Sequence, residues 1–366
     1  MNRSILKAAA ATGALAIAFL SATAANHTAS LTSGKAVLTS AGQLAFGPDG
    51  ILFVADPKAA AIYALDTSDT RSGEATVDVE GVNEKIAAFL GTSSDQILIN
   101  ALAINPISKK AYLSVSRGKG PDAAAVVVRV DSKGNIEELS TSSIKHAKVI
   151  LPNPPSVDPA NPRSAAARME AITDLAFVDG KLIVAGLSNE EFASNLRVVP
   201  FPFTSAEKGT SIEIFHGAHG RFETNSPVRT FVAYKIKNQP HVLAAYTCTP
   251  LVKFPLSDLT PGKKVMGTTI AELGNRNRPS DMIVYTKAGK DFILLNNSSR
   301  GVMKLPTEKI DSYAAITAKT DVTGVPYETI SSLKGVEHLD KIDNTYAMLL
   351  IRGENGALNL KRLALP

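Results

Sequence analysis

The sequence contains one pair of histidines at a spacing that could bind a metal ion, and one cysteine. His216 and His219 lie in the segment FHGAHGRFE, where an H-x-x-H spacing can bring two imidazoles together. A catalytic zinc site needs a third ligand, and the flanking Gly217 and Gly220 favour a flexible loop. Because Cys248 is the single cysteine, the chain can form neither an intrachain disulfide nor a site built from several cysteines. No cation or base that would activate its thiol is identifiable, so a small buried side chain is the favoured interpretation of Cys248.

Polar residues also stand at the start of successive apolar segments. They are Asn100, Asp174, Arg229, Asp281 and either Glu337 or His338. The side-chain oxygens of Asn100, Asp174 and Asp281 are suitable in kind for a hard cation such as calcium. Arg229 would oppose a cation and favour an anionic ligand, and polar residues also line water-filled channels without binding anything. His338 is the candidate general base, because imidazole titrates near neutral pH.

Arginines in loop segments form a third candidate group. They are Arg117, Arg221, Arg276, Arg278, Arg300 and Arg352. Guanidinium groups can form paired hydrogen bonds with carboxylates or phosphates. The alternative is ordinary surface solvation beside acidic residues such as Asp122, Glu223 and Glu354. The candidate ligand-binding residues are therefore Arg117, Arg229, Arg276, Arg278 and Arg300.

The elements that would position these residues are repeated β-hairpins. Six segments share an apolar run, a turn rich in Gly, Pro, Asp, Asn or Lys, and a second apolar run; they begin at Leu44, Leu102, Leu175, Val232, Ile283 and His338. A third run follows each hairpin, and a fourth follows several of them, as in TVDVE from Thr76 and SIEIF from Ser211. Four antiparallel strands repeated six times predict an all-β, six-bladed β-propeller.

Two alternatives are a seven-bladed ring and a pair of packed β-sandwiches. Residues 151–168 hold five prolines in their first twelve positions, which favours an extended loop over the paired strands of a further blade. The last repeat ends at Pro366 with its third strand, so its fourth strand must come from elsewhere. The segment GKAVLT, Gly34 to Thr39, is predicted to be that outer strand of blade six, which would close the ring and remove an open edge.

Loop lengths distinguish the two faces of such a ring. The turns between first and second strands are short, whereas the opposite face carries longer polar loops and the inter-blade segments 151–168, 216–228 and 273–280. We call this opposite side the loop-rich face. Binding residues concentrate in long loops on a rigid scaffold, so we expect the functional site on the loop-rich face, around the mouth of the central channel.

The phrase FGPDGILFVAD, from Phe46 to Asp56, and the strand IYALD that follows it resemble one repeat of the NHL and gluconolactonase (regucalcin-like) propellers. The similarity is close over about 20 residues of the first repeat, partial in the third, and elsewhere limited to the hydrophobic pattern. The resemblance implies a propeller fold and a divalent cation, typically calcium, held at the channel mouth by Glu, Asn and Asp. The sequence departs from that pattern at the first ligand position, where it has Gln43.

The N-terminus has the order of a secretory signal. Arg3 and Lys7 precede an apolar run, Ala8 to Leu20, and a small-residue stretch with predicted cleavage after Ala24. We therefore expect a signal peptide at 1–24, a single propeller domain at 25–366, and export to the periplasm or the extracellular medium. No later stretch is long and apolar enough for a transmembrane segment. Processing lowers the formal charge from +5 to +3, and without a basic run interleaved with aromatics nucleic-acid binding is not expected.

The function predicted from these features is that of a monomeric, exported propeller binding a small molecule or a protein partner on its loop-rich face. The alternative is a lactonase-like hydrolase in which a cation such as calcium polarises a carbonyl and His338 transfers a proton. The sequence leaves both open, together with any role for Cys248 or for the Pro-rich loop 151–168.

Overall fold

A computed structural model describes residues 26–248 and 250–366. The predicted signal peptide, 1–24, lies outside the described residues. Six separate, mainly antiparallel sheets form the blades of a propeller, which confirms the six-bladed all-β fold. In the described residues the helices are two short α-helices and four 3₁₀ turns, and no helix is long and apolar enough to cross a membrane.

Each blade begins with an inner strand that lines the central channel. Blades are numbered in the chain order of these inner strands. Blade 1 contains β1 (Thr32–Gly34), β2 (Leu44–Phe46), β3 (Ile51–Asp56), β4 (Ala61–Asp66) and β9 (Ile144–Ile150). Blade 2 contains β5 (Ile97–Ile104), β6 (Ala111–Arg117), β7 (Ala124–Val130) and β8 (Ile136–Glu138). Blade 3 contains β10 (Asp174–Val178), β11 (Lys181–Leu187), β12 (Ser194–Pro200), β13 (Thr210–His216), β14 (Arg221–Glu223) and β18 (Lys264–Met266).

The remaining blades follow the same plan with fewer or shorter outer strands. Blade 4 contains β15 (Thr230–Ile236), β16 (Gln239–Ala245), β17 (Pro250–Pro255), β19 (Thr268–Leu273) and β23 (Val322–Gly324). Blade 5 contains β20 (Pro279–Lys287), β21 (Lys290–Asn297), β22 (Gly301–Pro306) and β24 (Glu328–Thr329), and blade 6 contains β25 (Val336–Lys341), β26 (Tyr346–Arg352) and β27 (Leu358–Ala364). The helices are α1 (Val82–Phe89) and α2 (Pro162–Met169), with 3₁₀ turns at His27–Ser30, Pro48–Gly50, Ser94–Gln96 and Leu256–Asp258.

The order of blades around the ring differs from their order along the chain. Contacts between inner strands run from blade 1 to 3, 4, 5, 6 and 2, and then back to blade 1. The six apolar cores follow the same order, since each one joins two blades that are neighbours in this ring. Blade 2 therefore separates blade 1 from blade 6, and the chain passes across blade 2 after leaving β4.

The prediction that Gly34 to Thr39 forms the outer strand of blade 6 is wrong. β1 pairs with β9 on the outside of blade 1, and the N–H of Ala36 donates to the Thr141 carbonyl. TVDVE, expected as the fourth strand of the first repeat, closes blade 6 instead, because Val79 and Leu360 exchange two backbone hydrogen bonds of 2.9 Å. The reason is the blade order: blade 1 does not adjoin blade 6, so the segment crossing blade 2 is the one that reaches its open edge.

Asp69 holds this crossing segment against blade 2. Its buried carboxylate accepts hydrogen bonds from Ser108 Oγ (2.6 Å), Tyr112 Oη (2.9 Å) and Lys110 Nζ (3.1 Å). Asn105 donates a further hydrogen bond to the Asp69 backbone carbonyl. Burial alone would raise the pKa of Asp69, but these donors lower it below its usual value. The side chain thus joins the crossing segment to the first hairpin of blade 2.

The Pro-rich segment 151–168 forms no blade, in agreement with the six-bladed count. Its last residues form α2, which starts with Pro162 and is capped by the Asn161 side chain accepting from the Arg163 N–H. Proline is favoured at the first helical position because the N–H it lacks would have no partner there. The helix ends at Met169 and delivers Glu170 to the mouth of the channel.

Candidate functional site

A cavity of about 640 Å³ opens at the channel mouth on the loop-rich face, and we call it the mouth cavity. Its walls are the N-terminal ends of inner strands and the loops beside them. Its volume falls within the roughly 300–1,000 Å³ typical of small-molecule sites. The polar side chains that line it include Gln43, Asn100, Ser116, Glu170, Arg229, Arg278, Ser280, Asn296, Ser298, Glu337, His338 and Arg352.

Two of its arginines are paired with acidic side chains. Arg229 Nη1 lies 2.6 Å from Glu170 Oε1, and Arg229 Nε donates to Thr247 Oγ1 at 3.0 Å. Arg352 donates to a Glu337 carboxylate oxygen and to the Gly356 carbonyl. In each pair the arginine donates a second hydrogen bond to another acceptor, so both guanidinium groups have a defined orientation beside the cavity.

Arg278 is the arginine of the mouth cavity without an acidic partner. Among residues 26–248 and 250–366, no carboxylate lies within ion-pair distance of its guanidinium group, and the residue as a whole is exposed. Burial of part of the side chain lowers the pKa of Arg278, and the positive charge of Arg229 lowers it further. Arg229 and Arg278 carry two positive charges, and Glu170 is the carboxylate whose charge acts on both of them. The excess of positive charge favours an anionic ligand.

Two asparagines line the cavity, one on the inner strand of blade 2 and the other on the second strand of blade 5. Asn100 Nδ2 donates to the Ala41 carbonyl and to Ser116 Oγ, while Asn296 Nδ2 donates to Ser280 Oγ and to the Val336 carbonyl. In the described part of the chain, the buried Asn296 Oδ1 accepts no hydrogen bond. An unsatisfied buried acceptor is costly, so this oxygen is suited to a hydroxyl donor in the cavity.

His338 is held by hydrogen bonds at the wall of the mouth cavity. Its Nδ1 lies 3.1 Å from Asp281 Oδ2, and its ring also bonds to the backbone of Ile99. Burial would lower the pKa of His338, but the charge and hydrogen bond of Asp281 raise it above its usual value. The imidazole therefore joins blades 5 and 6, and it would have to give up a partner to act as a general base.

Below the mouth, the inner strands enclose a second cavity of about 460 Å³, which contains Asp174, Asp281 and Asp340. Each carboxylate accepts a backbone N–H from the next blade, from Phe231, Leu339 and Ile104 respectively. Burial raises the pKa of Asp174 to about 7 and that of Asp340 to about 6, and the charge of Asp281 adds to both. These aspartates therefore join neighbouring inner strands around the channel.

The residues predicted to bind calcium are divided between these two cavities. Asn100 lines the mouth cavity, whereas Asp174 and Asp281 line the one below it. Both oxygens of Asp174 already accept backbone N–H groups, from Phe231 and from Leu175. A shared cation would have to replace hydrogen bonds that join blades, so the donor set fits calcium poorly.

The structure brings only part of the predicted arginine group together. Arg229 and Arg278 meet at the mouth cavity, while Arg117 and Arg276 are exposed outside it and Arg300 lines a neighbouring cavity. Sequence reasoning did not identify Glu170, whose one signal is its place between a Pro-rich loop and an inner strand. His216, His219 and Cys248 line neither channel cavity and come together at the junction of blades 3 and 4.

Comparison with known proteins identifies no family. No family model matches the sequence, and no curated protein matches it. Solved structures with a similar chain course include hydrazine synthase from Kuenenia stuttgartiensis (10% identity, 95% of this chain and 99% of that one, TM-score 0.40). They also include the PQQ-bound aldose sugar dehydrogenase from Streptomyces coelicolor (10%, 91% and 98%, 0.34) and a gluconolactonase from Xanthomonas campestris (9%, 91% and 88%, 0.31). At these scores no functional argument rests on the similarity, and the propeller assignment stands on the six sheets themselves.

Proposed function

We propose that this chain is an exported propeller that binds a small, hydroxylated anion in the mouth cavity. Arg278 carries the proposal, because its guanidinium group borders the cavity without an acidic partner in the described chain. The neighbouring Arg229 adds positive charge, and its hydrogen bonds to Glu170 and Thr247 fix its position. A carboxylate or phosphate on the ligand would supply the counter-charge that Arg278 lacks.

Hydroxyl groups on the same ligand would find partners on the cavity wall. Asn296 Oδ1 is a buried acceptor with no donor among the residues that the structure describes, and the hydroxyls of Ser116, Ser280 and Ser298 line the same space. The cavity size and this polar lining favour a molecule no larger than a sugar acid. The proposal includes no reaction, because His338, the predicted general base, already has hydrogen-bonding partners and would have to give one up to accept a proton.

Calorimetric titration with gluconate, and with glucose as its uncharged counterpart, tests this proposal. We expect gluconate to bind and glucose to bind at least tenfold more weakly, with Arg278→Ala reducing gluconate affinity about tenfold or more. A hydrogen bond to a charged group contributes roughly 1.5–3 kcal/mol, and about 1.4 kcal/mol corresponds to a factor of ten. Arg117→Ala, an exposed arginine outside the cavity, is the matched control. Equal affinities for gluconate and glucose, or equal losses in the two variants, would contradict the proposal.

The second candidate function is a cation-dependent, lactonase-like hydrolase, in which a cation would have to displace the hydrogen bonds by which the channel aspartates join neighbouring blades. The observation in its favour is that burial and the nearby Asp281 charge raise the pKa of Asp174, a penalty that a bound cation would relieve. In thermal melts, calcium would then raise the midpoint of the wild-type protein, and a chelator would lower it. Asp174→Asn should abolish both shifts. Identical midpoints in calcium and chelator would eliminate this candidate.

A further inference from the structure

A cluster of nitrogen and sulfur ligands lies at the junction of blades 3 and 4. His216 is the last residue of β13, His219 follows in the turn before β14, and Cys248 lies in the loop between β16 and β17. One ring nitrogen of each histidine and the Cys248 Sγ all lie within 4.8 Å of one another. Among the described residues, this is the group of three His, Cys, Asp or Glu side chains that approach closely enough to share a metal ion.

Glu223 orients both imidazoles in this cluster. Its Oε2 lies 2.9 Å from His216 Nδ1, and its Oε1 lies 2.6 Å from His219 Nδ1. The two rings face each other at an angle of 36°, with their centroids 3.9 Å apart. Since Glu223 occupies both Nδ1 atoms, the Nε2 atoms remain to bind a metal. A carboxylate that fixes the tautomer and orientation of a ligating histidine is the usual outer shell of a protein metal site.

His216 provides a second, independent indication of a ligand. Its side chain is only 3% exposed, and its Nε2 is buried without a hydrogen-bond partner in the described chain. A buried polar atom left unsatisfied costs roughly 1–3 kcal/mol, so such atoms in native proteins commonly have an ion or water as their partner. A metal ion beside His216 would satisfy this nitrogen, and Cys248 is positioned to share the same ion.

Hydrogen bonds from backbone N–H groups hold the histidine loop and the Cys248 loop against their neighbours. The Gly217 N–H donates to Glu272 Oε1 at 2.5 Å, the Gly220 N–H to the His216 carbonyl at 2.8 Å, and the Cys248 N–H to the Asn277 carbonyl at 2.6 Å. Gly220 has φ +67°, and a Cβ at Gly217 would lie 2.9 Å from the Glu272 side chain. These glycines allow a close backbone approach, and the loop presents its two histidines from a fixed frame.

We infer that His216, His219 and Cys248 form a three-ligand site for a transition-metal ion of the Zn²⁺ class. Two imidazoles and one thiolate select such an ion over Ca²⁺ or Mg²⁺, which prefer oxygen ligands. The ion would replace the thiol proton, so binding forms an S–metal bond and releases one proton to solvent. His219 is 43% exposed, which leaves room for water as a fourth ligand. The bound metal would link the loops of two blades, outside the mouth cavity.

The test is a titration of the protein with Co²⁺, which serves as a spectroscopic substitute for Zn²⁺. The protein carries no polyhistidine tag, its cysteine is kept reduced, and a chelator first removes any bound metal. We expect one equivalent to bind, with a thiolate-to-cobalt charge-transfer band in the near ultraviolet that Zn²⁺ then removes by displacement. Cys248→Ser should abolish this band. His219→Ala should weaken binding at least tenfold, and Glu223→Gln about 10- to 100-fold, the range found for outer-shell partners. His146→Ala, a half-buried histidine on β9, should change nothing.

A second measurement avoids any dependence on variants that fail to fold. Because Cys248 is the single cysteine, a thiol reagent reports on it alone, and one equivalent of Zn²⁺ should slow its modification in the wild-type protein at least tenfold. The proposal is overturned if Co²⁺ gives no thiolate band, if the band persists in Cys248→Ser, or if Zn²⁺ leaves the thiol reaction rate unchanged. Equal loss of affinity in His146→Ala and His219→Ala would likewise show binding to surface histidines only.

Discussion

Removal of the Asp69 carboxylate tests the unusual chain crossing over blade 2. In Asp69→Ala, Ser108, Tyr112 and Lys110 lose the acceptor that they share. Loss of one partner from a buried pair costs about 3–5 kcal/mol, and since the Lys110 side chain is 28% exposed we expect the lower part of that range, about 3–4 kcal/mol. The variant should therefore retain its fold but unfold at lower temperature and lower denaturant concentration.

The size of the thermal shift follows from the length of the chain. At about 2.1 cal/mol/K per residue, roughly 340 residues give an unfolding entropy near 0.7 kcal/mol/K, so 3–4 kcal/mol corresponds to about 4–6 °C. Scanning calorimetry measures the midpoint. The control is Asp95→Ala, whose exposed carboxylate pairs with Lys119 at 3.3 Å, a solvent-screened surface pair whose loss should leave the midpoint nearly unchanged.

The pH dependence provides a further check on the same side chain. Its donors hold the pKa of Asp69 below its unfolded value, so the stabilisation is present above that unfolded value and is lost as pH falls through the lower, folded one. The difference between wild type and Asp69→Ala should consequently shrink in acid. Midpoints of Asp69→Ala and Asp95→Ala within 1 °C of each other at pH 7 would refute the assignment of Asp69 as the residue that holds the crossing.

Two other predictions concern ring closure and the channel. Val79→Cys with Leu360→Cys, in a Cys248→Ser background, should form a disulfide on mild oxidation, because residues 79 and 360 are a backbone-paired couple that closes a loop of about 280 residues. The oxidised protein should be more stable than its own reduced form by up to about 5 kcal/mol, a comparison that leaves out the cost of replacing two buried side chains. Two free thiols in the oxidised, folded protein would contradict the pairing of Val79 with blade 6. Burial raises the pKa of Asp174 in the folded protein to about 7, whereas the unfolded chain loses this proton near pH 4. Between about pH 4 and pH 7 the folded state therefore binds one more proton than the unfolded state, and its stability falls by up to about 1.4 kcal/mol per pH unit as the pH rises. As the pH rises across this range, the free energy of unfolding of Asp174→Asn, measured with denaturant, should increase relative to that of the wild type by up to about 4 kcal/mol. A difference between the two proteins that does not depend on pH would contradict the raised pKa.

The hairpins could be predicted from the sequence because their signals are local. The apolar alternation and the turn residues of LAFGPDGILFVAD lie within thirteen consecutive residues, and β2, the turn and β3 form there as expected. The third strands, such as IYALD in β4, follow within a short distance and pair with the hairpin beside them. Six such units were sufficient to predict six blades and to place the site residues Asn100, Arg229 and Arg278 near one channel mouth.

The outer strands and the candidate sites depended on tertiary structure. An outer strand pairs through its backbone, which carries no residue-specific signal. The sequence therefore assigned TVDVE to the first repeat and Gly34 to Thr39 to blade 6, and only the blade order placed TVDVE at the edge of blade 6. The same long-range packing decided the chemistry. Only the contact between blades 3 and 4 brings Cys248 to the histidine pair, and only the end of α2 brings Glu170 to Arg229 and leaves Arg278 without a carboxylate partner in the described chain. Residue types determined which ligands and charges were available, and the packing of blades, which depends on contacts far apart in sequence, determined which of them meet.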